Sequence, residues 1–292
     1  MTRGRLTVVG CGICAPLHVS VEAAAAIAHA QDVFCLAADP LVPTWLATLH
    51  ANVVSVHDLY AIGVGRETTY EAIVERVLGP VRRGRAVCFV LYGHPGIFAF
   101  PGHEALRRAR AEGHEAAMLP AISAEDCLFA DLGVDPSAHG IRSFEATDFL
   151  LRPRLPDPAS ALLLWQIGLI AERSVQARAS AWNPAGIALL TDVLLCAYPD
   201  DHAVVVYEAS PFAICGPRIA RIPLAALPLA PIGPASLLYV PAYETAAIDP
   251  IMARALGLEA RARSPRSAST TAPSRQSAAS RAFAAAPKRA TS

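Results

Sequence analysis

Tyr60, Arg66 and Tyr70 fall within eleven residues, and Tyr92 stands further on at a strand end. All four side chains suit proton-transfer chemistry. A phenol, with a free pKa of about 10, is mostly protonated at neutral pH. A guanidinium beside it favours the phenolate without giving up its own proton. Arg66 and Tyr70 are spaced i, i+4, so on a helix they share one face. The bland alternative is a surface Arg–Tyr pair with Glu67 nearby. Tyr92 opens "YGHPG" (92–96), a turn that follows the apolar run Val87–Leu91. Open α/β sheets bind ligands at such carboxyl ends of strands. His94 in that turn is either a ligand contact or an idle loop residue. Gln166 is polar inside "LLLWQIG" (162–168) and needs partners from backbone or ligand. Taken alone it reads as structural.

Short apolar runs alternate with helical patterns around these residues. Strands are expected at 5–10, 33–37, 53–56, 86–92 and 116–120, with helices at 20–30, 67–84 and 102–113. Ser20 is placed to cap the first helix, and Gly113 closes the third. This alternation implies a mostly parallel sheet covered on both faces. In the second half, helices are expected at 123–133, capped by Ser123, and at 183–198, with Pro184 in its first turn. Buried strands are expected at 161–167, 203–209 and 235–241. The expected organisation is an α/β domain over 1–120, a second α/β domain over 121–258, each with a mostly parallel sheet flanked by helices, and a tail over 259–292. The tail is rich in Ser, Ala and Arg and cannot bury enough surface to order itself.

The 292 residues are 53% hydrophobic and carry no formal net charge. Seven basic residues and no acid lie from Arg261 onward, so the rest of the chain is negative. That argues against a nucleic-acid binder, which usually has a basic body. "MTRGRLTVVGCG" breaks at glycines and does not read as a secretory signal, and "ALLLWQIGLIA" (161–171) is too short to span a bilayer. Seven scattered cysteines, an odd number, read as buried thiols of a cytoplasmic protein. Cys11 and Cys14 form a C-x-x-C, but no second pair accompanies it, and no metal is expected. "VVGCGICAP" (8–16) lacks the G-x-G-x-x-G of a dinucleotide fold.

In order, these pieces resemble the tetrapyrrole methylases. The strand, glycine loop and helix of "VVGCGICAPLHVSVEAAAAI", the "YGHPG" turn and the helix "AISAEDCLFADLG" carry the likeness over roughly 5–258. Within that superfamily, D-L-Y (58–60), Arg66…Tyr70, L-Y-G-H-P-G (91–96), residues 118–132 and L-W-Q-I-G (164–168) are similar to borosin-type peptide α-N-methyltransferases. The resemblance implies a dimer of two-domain α/β protomers with S-adenosylmethionine in an interdomain cleft. It implies methylation of the backbone amides of a precursor peptide. Tyr60, Arg66, Tyr70 and Tyr92 match active-site positions. Gly10, Pro16, Tyr92, Gly93, His94, Ile97, Ser123, Ala124, Gln166, Tyr207, Ser236 and Leu237 match the cofactor side. Two residues depart from the pattern. His57 stands where relatives often have another tyrosine, and Leu237 where a small hydroxyl residue is expected.

An amide nitrogen is a poor nucleophile because its lone pair is delocalised into the carbonyl. Methylating it requires removal of the N–H proton and stabilisation of an imidate-like oxygen. On this expectation Tyr70, tuned by Arg66, takes the proton, while Tyr60 and Tyr92 hydrogen-bond the oxygen. The tail's only apolar run is "AFAAA" (282–286), so the peptide is expected in trans. The alternatives are a small-molecule or tetrapyrrole methyltransferase and a non-catalytic cofactor-binding partner.

Overall fold

The computed structural model describes residues 3–61, 63–152, 154–172 and 183–258. The tail expected over 259–292 lies outside them. Met1–Ala246 form one compact unit and Ala247–Ser292 another. In the second unit, helix Pro250–Ala255 is capped by the Asp249 carboxylate, which accepts from the Ile251 and Met252 amides.

The first sheet contains β1 (Arg5–Gly10), β2 (Asp32–Leu36), β3 (Val53–Ser55), β4 (Ala86–Leu91) and β5 (Glu115–Met118). Its order is β3-β2-β4-β1-β5, and every pairing is parallel. Helices α1 (Val21–Ala28) and α2 (Leu41–Leu46) cover one face; α3 (Arg66–Arg82) and α4 (Phe100–Ala111) cover the other. The continuous apolar run of β4 follows from this two-sided burial. Val87, Phe89 and Leu91 pack with α3 and α4, while Cys88 and Val90 pack with α1 and α2. Ser20 caps α1 by accepting from the Ala23 amide.

The second sheet has the order β6-β7-β10-β8-β9, comprising Ile141–Glu145, Ala161–Trp165, Leu237–Val240, Ala203–Glu208 and Arg218–Pro223. The expectation of a mostly parallel second sheet is corrected. Only β6 and β7 run parallel; β7–β10, β10–β8 and β8–β9 are antiparallel. Connection length is the physical reason. The segment 146–160 between β6 and β7 carries helix α6 (Ala146–Leu151) and allows a crossover, whereas 209–217 joins β8 to β9 as a hairpin. Helix α7 (Pro184–Leu195) packs with α6 on one face of this sheet. Helix α5 (Ala124–Leu132) packs on the other. A capping box with Ser123 and Asp126 starts α5, and Gly133 in the left-handed region ends it.

In the first sheet the connection after β1 leads across β4 to β2, and that after β4 leads across β1 to β5. The two loops therefore diverge above adjacent strands, the switch point at which such sheets bind ligands. They also pair: the Gly93 amide donates to the Gly12 oxygen (3.0 Å) and the Gly12 amide to the Gly93 oxygen (3.3 Å). Gly93 sits at φ +70°. A Cβ on Gly10 would lie 2.1 Å from the Gly93 oxygen. At Gly93 the nearest atom to a Cβ would be Ile13 Cδ1 at 3.6 Å, so conformation rather than space constrains that position.

These geometries give different costs. Gly10→Ala should lose about 3 kcal/mol of unfolding free energy by overpacking. Gly93→Ala should lose only about 1 kcal/mol through its left-handed backbone. Denaturant unfolding of both variants checks the order; equal losses would contradict it.

Candidate active site

A cleft of about 470 Å³ opens within the first unit over the carboxyl ends of the first sheet's strands and of β7 and β8, beside the amino end of β10. Sites for drug-sized ligands usually occupy roughly 300–1,000 Å³. Its walls come from Ile13 after β1, 36–38 after β2, His57 and Tyr60 after β3, and Tyr92–His94 with Ile97 and Phe98 after β4. Ser123 and Ala124 of α5, Trp165, Gln166 and Leu169 after β7, Ala209, and Pro234, Ala235 and Leu237 before β10 complete it. No carboxylate, lysine or arginine lines it. Two more open grooves lie elsewhere, one at the start of β1 and β5 and one along α4, away from these strand ends.

Two lining residues hold backbone conformations unusual for their side chains: Phe98 at φ +49° and Gln166 at φ +58°. Each costs on the order of 1–3 kcal/mol and persists only where neighbours enforce it. The Phe98 ring packs on Trp165 with centroids 5.0 Å apart. After Gln166, the Ile167 amide donates to the Ser236 oxygen at 3.3 Å. Gly168 lies so close to the turn that a Cβ would be 2.1 Å from the Gly233 oxygen. The Gln166 amide has no hydrogen-bond partner among the described residues and stands on the cleft wall.

Of the residues expected on the cofactor side, Tyr92, Gly93, His94, Ile97, Ser123, Ala124, Gln166 and Leu237 line the cleft. Gly10, Pro16, Tyr207 and Ser236 do not. Gly10 packs under the β4 loop, and Pro16 follows a cis peptide bond on the exposed side of the glycine loop. The Tyr207 hydroxyl donates to Asp131 at 2.8 Å, and burial followed by that bond pushes its pKa well up. Ser236 is fully buried. Its hydroxyl donates to Glu208 (2.5 Å) and accepts from the Gly233 amide (2.8 Å) and Arg218 (3.1 Å). Arg218 also pairs with Glu208. Ser236 thus braces the turn that presents Pro234, Ala235 and Leu237, and its side chain does not reach the cleft. Two lining residues are already bonded within the protein. Ser123 closes its capping box, and the His94 Nδ1 accepts from the Gly96 amide.

Tyr60 and Tyr92 are the expected active-site residues on the cleft surface. Tyr70 stands behind Tyr60, centroids 6.4 Å apart and edge-on, and stacks on Phe100 at 5.7 Å. Arg66 opens α3 and has no ion-pair partner among the described residues. A cation at a helix N-terminus opposes the helix dipole, so this placement is not explained by stability. Arg108 joins α3 and α4 through Glu71, Glu75 and Glu104, and Arg82 extends the lattice through Glu75 and Glu112. It ties the helix bearing Arg66 and Tyr70 to the helix bearing Phe100. Burial pushes the Tyr60 phenol above its ordinary range; Tyr70 adds to the rise and Arg66 opposes it. Tyr92 keeps 43% of its surface open, but that surface faces the walled cleft, and reduced solvation pushes it up to about 12. Both are protonated phenols near neutral pH. His57 lies 5.3 Å from Tyr60, ring to ring.

Phe98 and Trp165 escaped the sequence reading, and His57 entered it only as a departure from the family pattern. Trp165 and Phe98 had a usable signal, since each follows an apolar run at the ligand-binding end of a strand or its loop. No group of three or more His, Cys, Asp or Glu suited to a metal ion occurs among the described residues, and no helix among them is long and apolar enough to cross a membrane.

The model of the tetrapyrrole (corrin/porphyrin) methylases matches residues 5–211. The chain belongs to that family. Among solved tetrapyrrole-methylase-like folds, it is similar to uroporphyrin-III-C-methyltransferase from Thermus thermophilus: 23% identical, TM-score 0.59, covering 83% of this chain and 94% of that one. It is also similar to a diphthine synthase at 16% identity and TM-score 0.55, covering 83% and 91%. These identities speak for the fold alone. Among curated proteins, it is similar to a methyltransferase/ribosomally synthesized type I borosin cyclic peptide precursor of Coprinopsis marcescibilis. That match is 38% identical over 226 residues, 77% of this chain and 58% of that protein. It is 40% identical over 207 residues to the methyltransferase/omphalotin A precursor of Omphalotus olearius, 71% of this chain and 49% of that protein. The chain spans about half the length of these curated relatives.

The raised phenols have a consequence for this methylase-family fold. In the unfolded chain tyrosines ionise near pH 10. Stability that depends on a protonated Tyr92 is therefore fully present below about pH 10 and is lost as pH rises toward about 12, and the raised Tyr60 phenol acts in the same direction. Tyr92→Phe should show a shallower loss across that window. Denaturant midpoints measured through the window for both proteins check this, and parallel losses would contradict it.

Proposed function

We propose that the protein uses S-adenosylmethionine to methylate backbone amide nitrogens of a precursor peptide. One observation carries the reading: protonated Tyr60 and Tyr92 line the cleft, with Tyr70 edge-on to Tyr60 and Arg66, which has no ion-pair partner among the described residues, close enough to act on the Tyr60 phenol. Relatives whose names join a methyltransferase to a peptide precursor support it.

The cleft suits the cofactor in size and chemistry. Its aromatic faces at Tyr92, Phe98 and Trp165 favour a sulfonium cation and a stacked base. Gln166 offers an uncommitted amide, and the Gly93 turn brings backbone close. When bound, the cofactor supplies an electrophilic methyl group; the protein aligns it with the nitrogen and excludes water. Arg66 supports negative charge at Tyr70, which takes the amide proton. Tyr60 and Tyr92 donate hydrogen bonds to the amide oxygen as charge develops there. A preorganised donor of this kind is typically worth about 3 kcal/mol of barrier. The amides to be methylated are proposed to lie outside residues 259–292, which are basic and Ser/Ala-rich with little apolar sequence to modify. The protein is proposed to act as a homodimer.

The test combines mass spectrometry and calorimetry. The protein, S-adenosylmethionine and peptides encoded beside its gene are incubated, and product masses are read for added methyl groups. Tyr70→Phe and Arg66→Ala should lose methyl transfer by about a hundredfold or more yet bind the cofactor nearly as wild type does. Near wild-type turnover in either variant overturns the proposed base assembly. Methyl groups mapped to residues 259–292 of the protein expressed alone overturn the placement of the substrate outside that segment.

A further inference from the structure

We infer that His57 is the exit for the proton leaving the amide, carrying it from the Tyr70–Tyr60 pair to bulk water; this rests on the amide-methylation reading above. The chemistry requires an exit. Each methyl transferred releases one proton, and a base that keeps it cannot act on the next amide. Tyr70 stands behind Tyr60, and burial dominates the surroundings of Tyr60. A phenol ionises far above neutral pH, whereas an imidazole gains and loses a proton near it.

His57 is set apart from the other histidines by its bonding. Seven of the nine have a ring nitrogen engaged by protein: His18, His29, His50, His94, His103, His114 and His202. The remaining two are His57 and His139, and only His57 lines the cleft. Its ring has no hydrogen-bond partner among the described residues, packs at 5.3 Å on Tyr60 and is solvent-exposed. It therefore touches the partly buried Tyr60 ring on one side and water on the other. The charged and titratable groups around this corner are Asp58, which pairs with Arg76 of α3, Tyr60, and Arg66 and Tyr70 of α3. Tyr92 and His94 lie on the same cleft, and Asp39 follows β2. Asp58 is occupied by Arg76, which leaves the imidazole as the free acceptor beside Tyr60.

The steps balance. The amide N–H bond breaks and its proton forms the Tyr70 O–H bond, while nitrogen gains the methyl group. Tyr70 then passes a proton to the Tyr60 oxygen as Tyr60 releases its own to a His57 ring nitrogen, directly or through one water. The resulting imidazolium gives the proton to bulk water. Tyr70 is again the base, and no oxidant or reductant is involved.

Two measurements test the relay. The first uses His57→Ala with the peptide that wild type methylates. Multiple-turnover methylation should fall on the order of tenfold or more, and added imidazole should restore it in proportion to its concentration. Cofactor affinity and thermal midpoint should stay at wild-type values. Unchanged turnover, or a loss that imidazole does not restore, overturns the relay. The second needs no substrate: NMR of ring-labelled histidine in wild type and in Tyr60→Phe. The His57 ring-nitrogen signals should change when the Tyr60 hydroxyl is removed; unchanged signals overturn the contact on which the relay depends. A wild-type protein that methylates no peptide overturns the functional reading and the relay with it. An active wild type with an unaffected His57→Ala overturns the relay alone.

Discussion

The site depends on one close approach, that of the β1 and β4 loops across Gly10, Gly12 and Gly93. A Cβ at Gly10 would overlap the Gly93 oxygen, and Gly93 takes a conformation that side chains disfavour. The two loops pair through backbone at Gly12 and Gly93, and Tyr92, the residue before Gly93, stands on the cleft wall. The same pairing places His94 and Ile97 along the wall and Phe98 against Trp165 of the second sheet. The cleft is thus a product of strand order, since only at a point of diverging connections do two adjacent strand ends leave open space above them.

The opposite wall is held by a different device. Buried Ser236, Glu208 and Arg218 brace the turn before β10, and Gly168 fits against that turn. Neither device supplies a charge to the cleft surface. A neutral, aromatic-lined cavity with phenols at one end suits a cationic methyl donor and an uncharged amide. Arg66 does not line the cleft, yet its charge acts on the Tyr60 phenol, so it offers no competing site to the donor.

Much of the first sheet was legible because its signals are local. The apolar run of β4, the Ser20 cap and the Ser123 box each declare an element within a few residues. Strand direction in the second sheet was not legible, because "AVVVYEA" reads as a buried strand whether its neighbours run parallel or antiparallel. β9 went unseen: "RIARIP" is a half-exposed edge strand with two arginines and a proline. The residue pattern located Tyr60, Tyr92, His94 and Gln166 on loops at strand ends, where the cleft lies. It did not show that Tyr207 and Ser236 turn inward to Asp131 and Glu208, since those partners are 76 and 28 residues away in sequence. Nor did it single out His57, whose interest lies in a ring contact with Tyr60 and the absence of any other partner.

The most direct test of the account is a crystal structure of the protein with S-adenosylhomocysteine. The account predicts the adenosyl group against Trp165, Gln166 and Pro234, with the sulfur facing the Tyr60 and Tyr92 hydroxyls. A cofactor bound outside this cleft, or a sulfur turned away from those two phenols, would contradict it.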